Sequence, residues 1–181
     1  MYEEEPKPPA AAIRFGRHIR SIAEAGSVHP AGASFVSPIQ CIRRPNRKPC
    51  KARIGITPMF DEIHWQCTDC ETGGTITGWR NTNDDLSEFL PTKEQRSLVF
   101  SVSDDEYRAM KEVTWHLPEE ASILASAVWA DNEVVISGPF EAMSYFTDSL
   151  ATEFNRSNDR KKRNLLWQVC MRLDELRSKH P

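Results

Sequence analysis

The apolar positions near the start of the chain recur with the period of a helix. Between residues 11 and 25 they lie three or four positions apart, which predicts an amphipathic helix that ends before Gly26. The positions are Phe15, Ile19, Ile22 and Ala23. Residues 1–10 are dominated by glutamate and proline and predict a disordered leader. After the helix, the residues up to 36 are typical of a linker.

The pattern changes to short strands between residues 37 and 90. Residues 62–66 alternate apolar and polar side chains, which is the two-residue period of a strand with one buried face. Three shorter apolar stretches predict further strands, at residues 38–42, 53–56 and 75–79. The region therefore predicts a small β module, followed by a short helix that Thr82 or Asn83 would cap.

Strands and helices are combined in residues 96–181. Ser103 and Glu106 have the spacing of a capping box, in which each side chain accepts a hydrogen bond from the other residue's backbone N–H. Pro118 and Pro139 suit the first turns of two later helices. The predicted order is β-α-α-β-α-α: strand 98–102, helix to 115, helix from 118, strand 133–137, helix from 139 and helix 160–178. We therefore predict the α+β fold class, with a boundary at residues 91–96.

Composition limits the class of protein. The chain has 181 residues, and its 39% hydrophobic and 27% charged residues are typical of a folded protein with loops or tails. No apolar run approaches the roughly 18 residues of a membrane span, and the acidic N-terminus lacks the features of a secretion signal. We therefore expect a cytoplasmic protein with no membrane partner, in which thiols stay reduced.

Four cysteines within residues 41–70 introduce candidate metal chemistry. Their spacing is C-x₈-C-x₁₆-C-x₂-C, and reduced cysteines clustered in this way bind metal more often than they form disulfides. Four thiolates complete a tetrahedral shell around Zn²⁺, which predicts a structural site without an open position. Short strands that end in such ligands indicate a zinc-ribbon-like module over residues 37–90, with these metal ligands: Cys41, Cys50, Cys67 and Cys70.

Three other interpretations of these cysteines stay open. The eight-residue gap is wider than that of an ordinary zinc knuckle, so Cys41 and Cys50 can instead be buried thiols. The C-x-x-C pair Cys67 and Cys70 can be a redox pair, although such pairs usually open a helix. His64 can replace a missing thiolate, although strand alternation places it on the solvent face.

The charges are distributed unevenly, although the formal net charge is only −3. Residues 13–57 contain nine basic side chains and one acidic one, whereas residues 60–120 contain fourteen acidic and five basic ones. Six of the bases lie in or just after the loop between the first two cysteines: Arg43, Arg44, Arg47, Lys48, Lys51 and Arg53. A metal-anchored loop of this kind predicts contacts with the phosphates of DNA or RNA. The alternative is a solvated loop whose charges pair with the acidic residues of the second unit.

Two further features allow two interpretations each. Trp65 and Trp79 can stack on exposed bases, or they can fill the small core of the module. A second basic cluster, Arg156 with residues 160–163, lies at the start of the last helix, where positive charge opposes the helix dipole. That cluster predicts either a second contact surface or local compensation by neighbouring acidic residues.

The segments around the cysteines resemble a group of small, uncharacterised bacterial proteins. The shared features are an Arg/Pro-rich loop between two cysteines at 41–50, W-x-C-x-x-C at 65–70, G-x-I-x-x-W at 74–79, and the tail from Val134 onwards. The resemblance implies a zinc-ribbon-like module fused to a small α/β unit, and it implies no activity. One departure is Glu71, which stands where zinc knuckles usually have glycine.

Catalytic motifs such as G-x-S-x-G, a P-loop or H-E-x-x-H do not occur in the sequence. We therefore predict a protein that is not an enzyme and has no small-molecule substrate. The leading hypothesis is a zinc-stabilised binding module that contacts nucleic-acid phosphates through the basic loop. The alternative is a protein–protein interaction adaptor, or an inhibitor of a larger bacterial or phage machine, that binds no nucleic acid.

Overall fold

The computed structural model describes residues 8–89, 97–113 and 118–179. These residues form two antiparallel sheets and five α-helices, in agreement with the predicted α+β class. In chain order the elements are α1 (Ala10–Ser27), β1 (Phe35–Gln40), β2 (Arg53–Pro58), β3 (Glu62–Cys67), β4 (Gly73–Thr77), β5 (Ser97–Val102), α2 (Asp104–Lys111), α3 (Pro118–Ala125), β6 (Val128–Ala130), β7 (Glu133–Pro139), α4 (Phe140–Arg156) and α5 (Arg160–Ser178). Most of the predicted leader, and all of the predicted boundary at 91–96, lie outside the described residues. None of the helices in the described part of the chain has the length and apolar character of a membrane span.

The first unit consists of an antiparallel meander in the order β1-β2-β3-β4, with α1 packed on one face. Strand β3 alternates between exposed and buried positions, and Ile63, Trp65 and Cys67 belong to the core that it shares with α1. At Gly26 of α1, an added Cβ would lie 2.7 Å from Cδ1 of Ile63. The lack of a side chain at this glycine therefore allows the helix to lie directly on the sheet.

The second unit consists of a sheet in the order β5-β7-β6, covered on one face by helices α2 to α5. The predicted capping box is present at the start of α2. The Oγ of Ser103 accepts a hydrogen bond from the backbone N–H of Glu106 at 3.3 Å, and a carboxylate oxygen of Glu106 accepts one from the N–H of Ser103 at 2.8 Å. The last helix spans Arg160–Ser178, which are the bounds predicted from its apolar period.

The second unit contains one strand that the apolar pattern does not predict. Strand β6 pairs with β7 through a two-residue turn, in which Asp131 and Asn132 have φ angles of 49° and 66°. Two left-handed residues in succession are the geometry of a tight hairpin turn, and Asn and Asp tolerate it well. The order is therefore β-α-α-β-β-α-α, in which Val128 belongs to the additional strand. A three-residue strand is too short to show alternation.

The short helix predicted after residue 82 also differs from the structure. The Thr82 hydroxyl donates to the backbone carbonyl of Trp79 at 2.6 Å, and a turn follows in place of an α-helix. Within the described residues, this segment has only a 3₁₀ turn at Ser87–Phe89.

The two units pack against each other, with β1 beside β6 and α1 beside α3. Arg53 makes the best-defined contact between them. Its guanidinium donates to the carboxylate of Asp104 and to the backbone carbonyl of Pro38, and it lies 4.3 Å from the ring centre of Trp129. Only 12% of this side chain is exposed, so Arg53 is part of the contact between the units.

Candidate metal centre and basic loop

The β1–β2 hairpin brings Cys41 and Cys50 to one end of the first sheet. The backbone N–H of Cys41 donates to the carbonyl of Ala52, and that of Cys50 donates to the carbonyl of Arg43, both at 2.9 Å. The two chain segments therefore stay paired as far as the cysteines. The eight residues between the cysteines form a closed loop, so the wide gap in the sequence does not separate the two thiols in space.

The β3–β4 hairpin brings the other two thiols to the same end. Cys67 is the last residue of β3, and its backbone N–H donates to the carbonyl of Thr72 at 2.7 Å. The backbone N–H of Cys70 donates to the sulfur of Cys67 at 3.5 Å, and that of Arg43 donates to the sulfur of Cys41 at 3.4 Å. Amide groups directed at sulfur in this way stabilise thiolates.

The four sulfur atoms form one compact group. All lie within 4.8 Å of one another, with 3.6 Å between Cys41 and Cys70 and 3.7 Å between Cys50 and Cys67. A tetrahedral ion with metal–sulfur bonds of about 2.3 Å requires sulfur–sulfur distances of about 3.8 Å. All four cysteines are free thiols. The group could therefore hold a metal ion with four thiolate ligands.

The positions of His64, Cys67 and Cys70 bear on the alternative interpretations of the cysteines. His64 is on the exposed face of β3, where its Nε2 lies 2.9 Å from a carboxylate oxygen of Glu62. Cys67 and Cys70 enclose a turn. A redox pair is expected at the start of a helix, and neither cysteine lies there. Cys170 is buried in the core of the second unit. The arrangement accordingly favours the four-cysteine group over the alternatives.

The thiols differ in pKa because their surroundings differ. Burial raises the pKa of Cys41 to about 12. The hydroxyl of Thr72, 3.4 Å from the sulfur of Cys70, lowers the pKa of that thiol to about 6. A metal ion must displace any protons that remain on the thiols, so its affinity should decrease as the pH falls. Thr72 is not among the site residues predicted from the sequence, although the position of Thr72 just after C-x-x-C is a signal for it.

Glu71 has the backbone conformation for which zinc knuckles usually use glycine. Its φ is 56°, in the left-handed region. A residue with a Cβ adopts this conformation at a cost of roughly 1–2 kcal/mol. Glu71 therefore differs from the glycine of a zinc knuckle in its side chain, whereas its backbone has the left-handed conformation of the knuckle turn.

The basic loop contains five of the six residues predicted to contact nucleic acid. All five side chains are exposed, and within the described part of the chain none of them forms an ion pair with an acidic side chain: Arg43, Arg44, Arg47, Lys48 and Lys51. The sixth, Arg53, lies between the two units. The alternative to phosphate binding is that the loop cations pair with acidic residues of the second unit. Of the six predicted residues, only Arg53 forms such a pair within the described part of the chain.

Trp65 and Trp79 have the structural role. They are 9% and 5% exposed and belong to the core between α1 and the first sheet. Little of either ring is therefore accessible for stacking on a base.

The second basic cluster is partly compensated by acidic neighbours. Lys162 lies 2.8 Å from Glu153, Lys161 lies 3.2 Å from Asp105, and the carboxylate of Asp159 accepts hydrogen bonds from the first turn of α5. These contacts support the interpretation of local compensation for the two lysines.

The open face of the first sheet has a shallow groove of about 660 Å³. Its lining includes Gly55, Gly73, His64 and Gln66. The sequence does not predict this groove, although glycines on the open face of the strands are a signal for it. It contains no arginine or lysine, so it is distinct from the basic loop.

Comparisons with protein-family models, with curated proteins and with solved structures found no match for the chain.

Proposed function

We propose that this protein is a zinc-stabilised binding module that contacts nucleic-acid phosphates through its basic loop. The observation that carries the proposal is a set of five exposed cations without acidic partners among the described residues. Four of them lie between Cys41 and Cys50, and the fifth, Lys51, directly follows Cys50. Arg and Lys side chains presented in this way suit phosphate contacts, which determine affinity and position more than base sequence.

The metal centre itself offsets only part of this charge. Four thiolates and one Zn²⁺ have a net charge of about −2, because each thiolate contributes one negative charge. Five loop cations exceed that charge by about three. Compensation of the metal centre therefore does not account for all the cations, and the excess supports an anionic partner.

The zinc has a structural role in this proposal, because four thiolates leave no open coordination position. By joining the ends of two hairpins, it would order the loop before binding and reduce the entropy that binding costs. Phosphate binding should therefore depend on the metal as well as on the cations.

The test is a titration of a fluorescently labelled 20-base-pair DNA duplex at several salt concentrations. Five phosphate contacts correspond to a slope of about −4.5 in log affinity against log salt, or about a 500-fold loss between 50 and 200 mM. Replacement of Arg43, Arg44 and Arg47 by alanine should reduce the slope by about 2.7. Binding that does not change with salt, or no binding at all, contradicts the proposal.

A matched control removes three positive charges that are already paired. Lys161, Arg177 and Lys179 each form an ion pair with an acidic side chain at the surface. Their joint replacement by alanine changes the net charge by the same amount as the loop variant. It should leave most of the affinity intact, because these cations are already paired and do not belong to the loop.

The second candidate function is a protein-interaction adaptor that binds no nucleic acid. The observation that favours it is an exposed apolar pair on α5, where Trp167 and Met171 are each 50% exposed and lie one turn apart. Tryptophan and methionine are enriched at protein interfaces. A stable protein partner lost on Trp167→Ala, together with no nucleic-acid binding by the wild type, would favour this candidate.

A further inference from the structure

The first half of α1 extends beyond the structure that supports the rest of the helix. Every residue from 10 to 17 is exposed, whereas His18, Ile22 and Ala25 are buried. Phe15 continues the stripe formed by Ile19 and Ile22, yet it is 53% exposed. We call residues 10–17 the projecting segment. Its apolar side is therefore exposed along with its polar side.

The direction of α1 places this segment beside the metal centre. Gly26 contacts Ile63 near the start of β3, and the ring of His18 lies 5.9 Å from that of Trp65 further along the strand. The helix therefore runs towards the end of β3, where Cys67 lies, as it is followed back to its N-terminus. Eight helical residues extend by about 12 Å, and two strand residues by about 7 Å. The projecting segment thus reaches past the cysteine cluster, at the end of the sheet that has the basic loop.

The segment adds positive charge to this end of the molecule. Arg14 and Arg17 are three positions apart and share a helix face. Both are exposed, and neither forms an ion pair within the described residues, whereas Arg20 on the next turn lies 2.9 Å from Asp84. The segment contains no acidic residue. Its charge is complementary to a polyanion.

We propose that the projecting segment enters the major groove of duplex DNA while the basic loop contacts the adjacent phosphates. An α-helix with its side chains is about 10–12 Å wide, close to the roughly 12 Å width of that groove. The walls of the major groove contact a helix on several sides. The projecting segment is exposed on every side and is therefore available for such contacts. Phe15 and the alanines are side chains that contact thymine methyl groups, and arginine contacts guanine or phosphate.

This inference rests on the proposed function and specifies the class of nucleic acid. The major groove of duplex RNA is deep and narrow and does not admit a helix in this way, and a single strand has no groove. Duplex DNA should therefore bind more tightly than duplex RNA of the same sequence or either single strand.

The experiment measures fluorescence anisotropy of the full chain, loaded with zinc, on a labelled 20-base-pair DNA duplex, the RNA duplex of the same sequence and the single strands. Arg14→Ala, Arg17→Ala and the double variant are compared with Arg20→Ala, which removes the same charge from the same helix as either single variant. The double variant should reduce the salt slope on duplex DNA by about 1.8 and remove most of the preference over RNA. Arg20→Ala should leave both unchanged.

The possible results distinguish failure of the major-groove inference from failure of the proposed nucleic-acid binding. If the wild type binds duplex DNA with strong salt dependence, but Arg14→Ala and Arg17→Ala behave as Arg20→Ala does, the inference fails and the proposed function stands. Equal affinity for duplex DNA, duplex RNA and single strands also overturns the inference alone. If the wild type binds none of the probes, both fail. Circular dichroism of each variant establishes that α1 persists, since alanine favours the helix.

Discussion

The contact between α1 and the first sheet at Gly26 provides a direct test of how the helix is placed. A Cβ added at Gly26 would lie 2.7 Å from Cδ1, 2.9 Å from Cγ2 and 3.0 Å from Cγ1 of Ile63. Ile63 is fully buried, so it has little room to move. Gly26→Ala should therefore push α1 away from the sheet, and the projecting segment would move with it.

Two opposing contributions determine the expected change in the free energy of unfolding on Gly26→Ala. Overpacking of a buried contact costs about 1–3 kcal/mol, whereas replacing a helical glycine by alanine contributes up to about 1 kcal/mol of stability. Gly16 is the matched control, because it lies in the same helix and an added Cβ there meets nothing within 4 Å. Gly16→Ala should be neutral or slightly stabilising, and Gly26→Ala should be less stable than it by about 1–3 kcal/mol.

The assay is urea denaturation of zinc-loaded protein, followed by tryptophan fluorescence and circular dichroism. Ile63→Val removes Cδ1, and alone it should cost about 0.5–1.5 kcal/mol. In the Gly26→Ala background the same change should cost less or stabilise, because it removes the closest contact. The resulting cycle should have a coupling free energy of about 1 kcal/mol or more. A Gly26→Ala variant at least as stable as Gly16→Ala, with no coupling to Ile63→Val, would refute the placement of α1 on the sheet.

Three further predictions concern the metal centre and the second unit. Cys67→Ser should abolish stoichiometric zinc in native mass spectra whereas Cys170→Ser should retain it; equal zinc content in the two variants would contradict the four-thiolate site. Glu71→Gly should raise the free energy of unfolding by up to about 1 kcal/mol, because glycine adopts positive φ without the Cβ strain; a loss of stability in urea denaturation would argue against the turn geometry. Burial alone would raise the pKa of Glu106, but hydrogen bonds from Arg172, 2.6 Å away, and from the Ser103 N–H lower it. The ionised carboxylate therefore stabilises the fold above its ordinary pKa, and this contribution is lost as the pH falls through the lower folded-state pKa. Glu106→Gln should reduce stability at neutral pH and weaken its acid dependence, and unchanged acid dependence would be evidence against this contribution.

The elements predicted best have a strong local signal. Helix α5 has the predicted bounds because its apolar positions recur at helical spacing from Leu165 to Leu176 and a polar break at residues 155–159 precedes it. The start of α2 follows from Ser103 and Glu106, whose side chains bond to each other's backbone within one turn. Strand β6 has no such signal in three residues, and it forms because β7 offers an edge for pairing.

In the candidate site, too, the features with a local signal are the ones that the sequence predicts. Spacing within the sequence identified four cysteines as one group, because strand ends and turns place ligands locally. Spacing did not separate Arg53 from the other loop cations, since its partners Asp104 and Trp129 lie in the other unit. The sequence also could not indicate that residues 10–17 of α1 are exposed, because the length of a helix depends on neighbouring residues whereas its burial depends on distant ones. The periods of the helices and strands and the grouping of the four thiols can thus be predicted from the sequence, whereas the fold sets which charges are buried in pairs and which stay exposed. The physical reason is that periodicity depends on neighbouring residues, whereas the pairing of charges depends on contacts between distant parts of the chain.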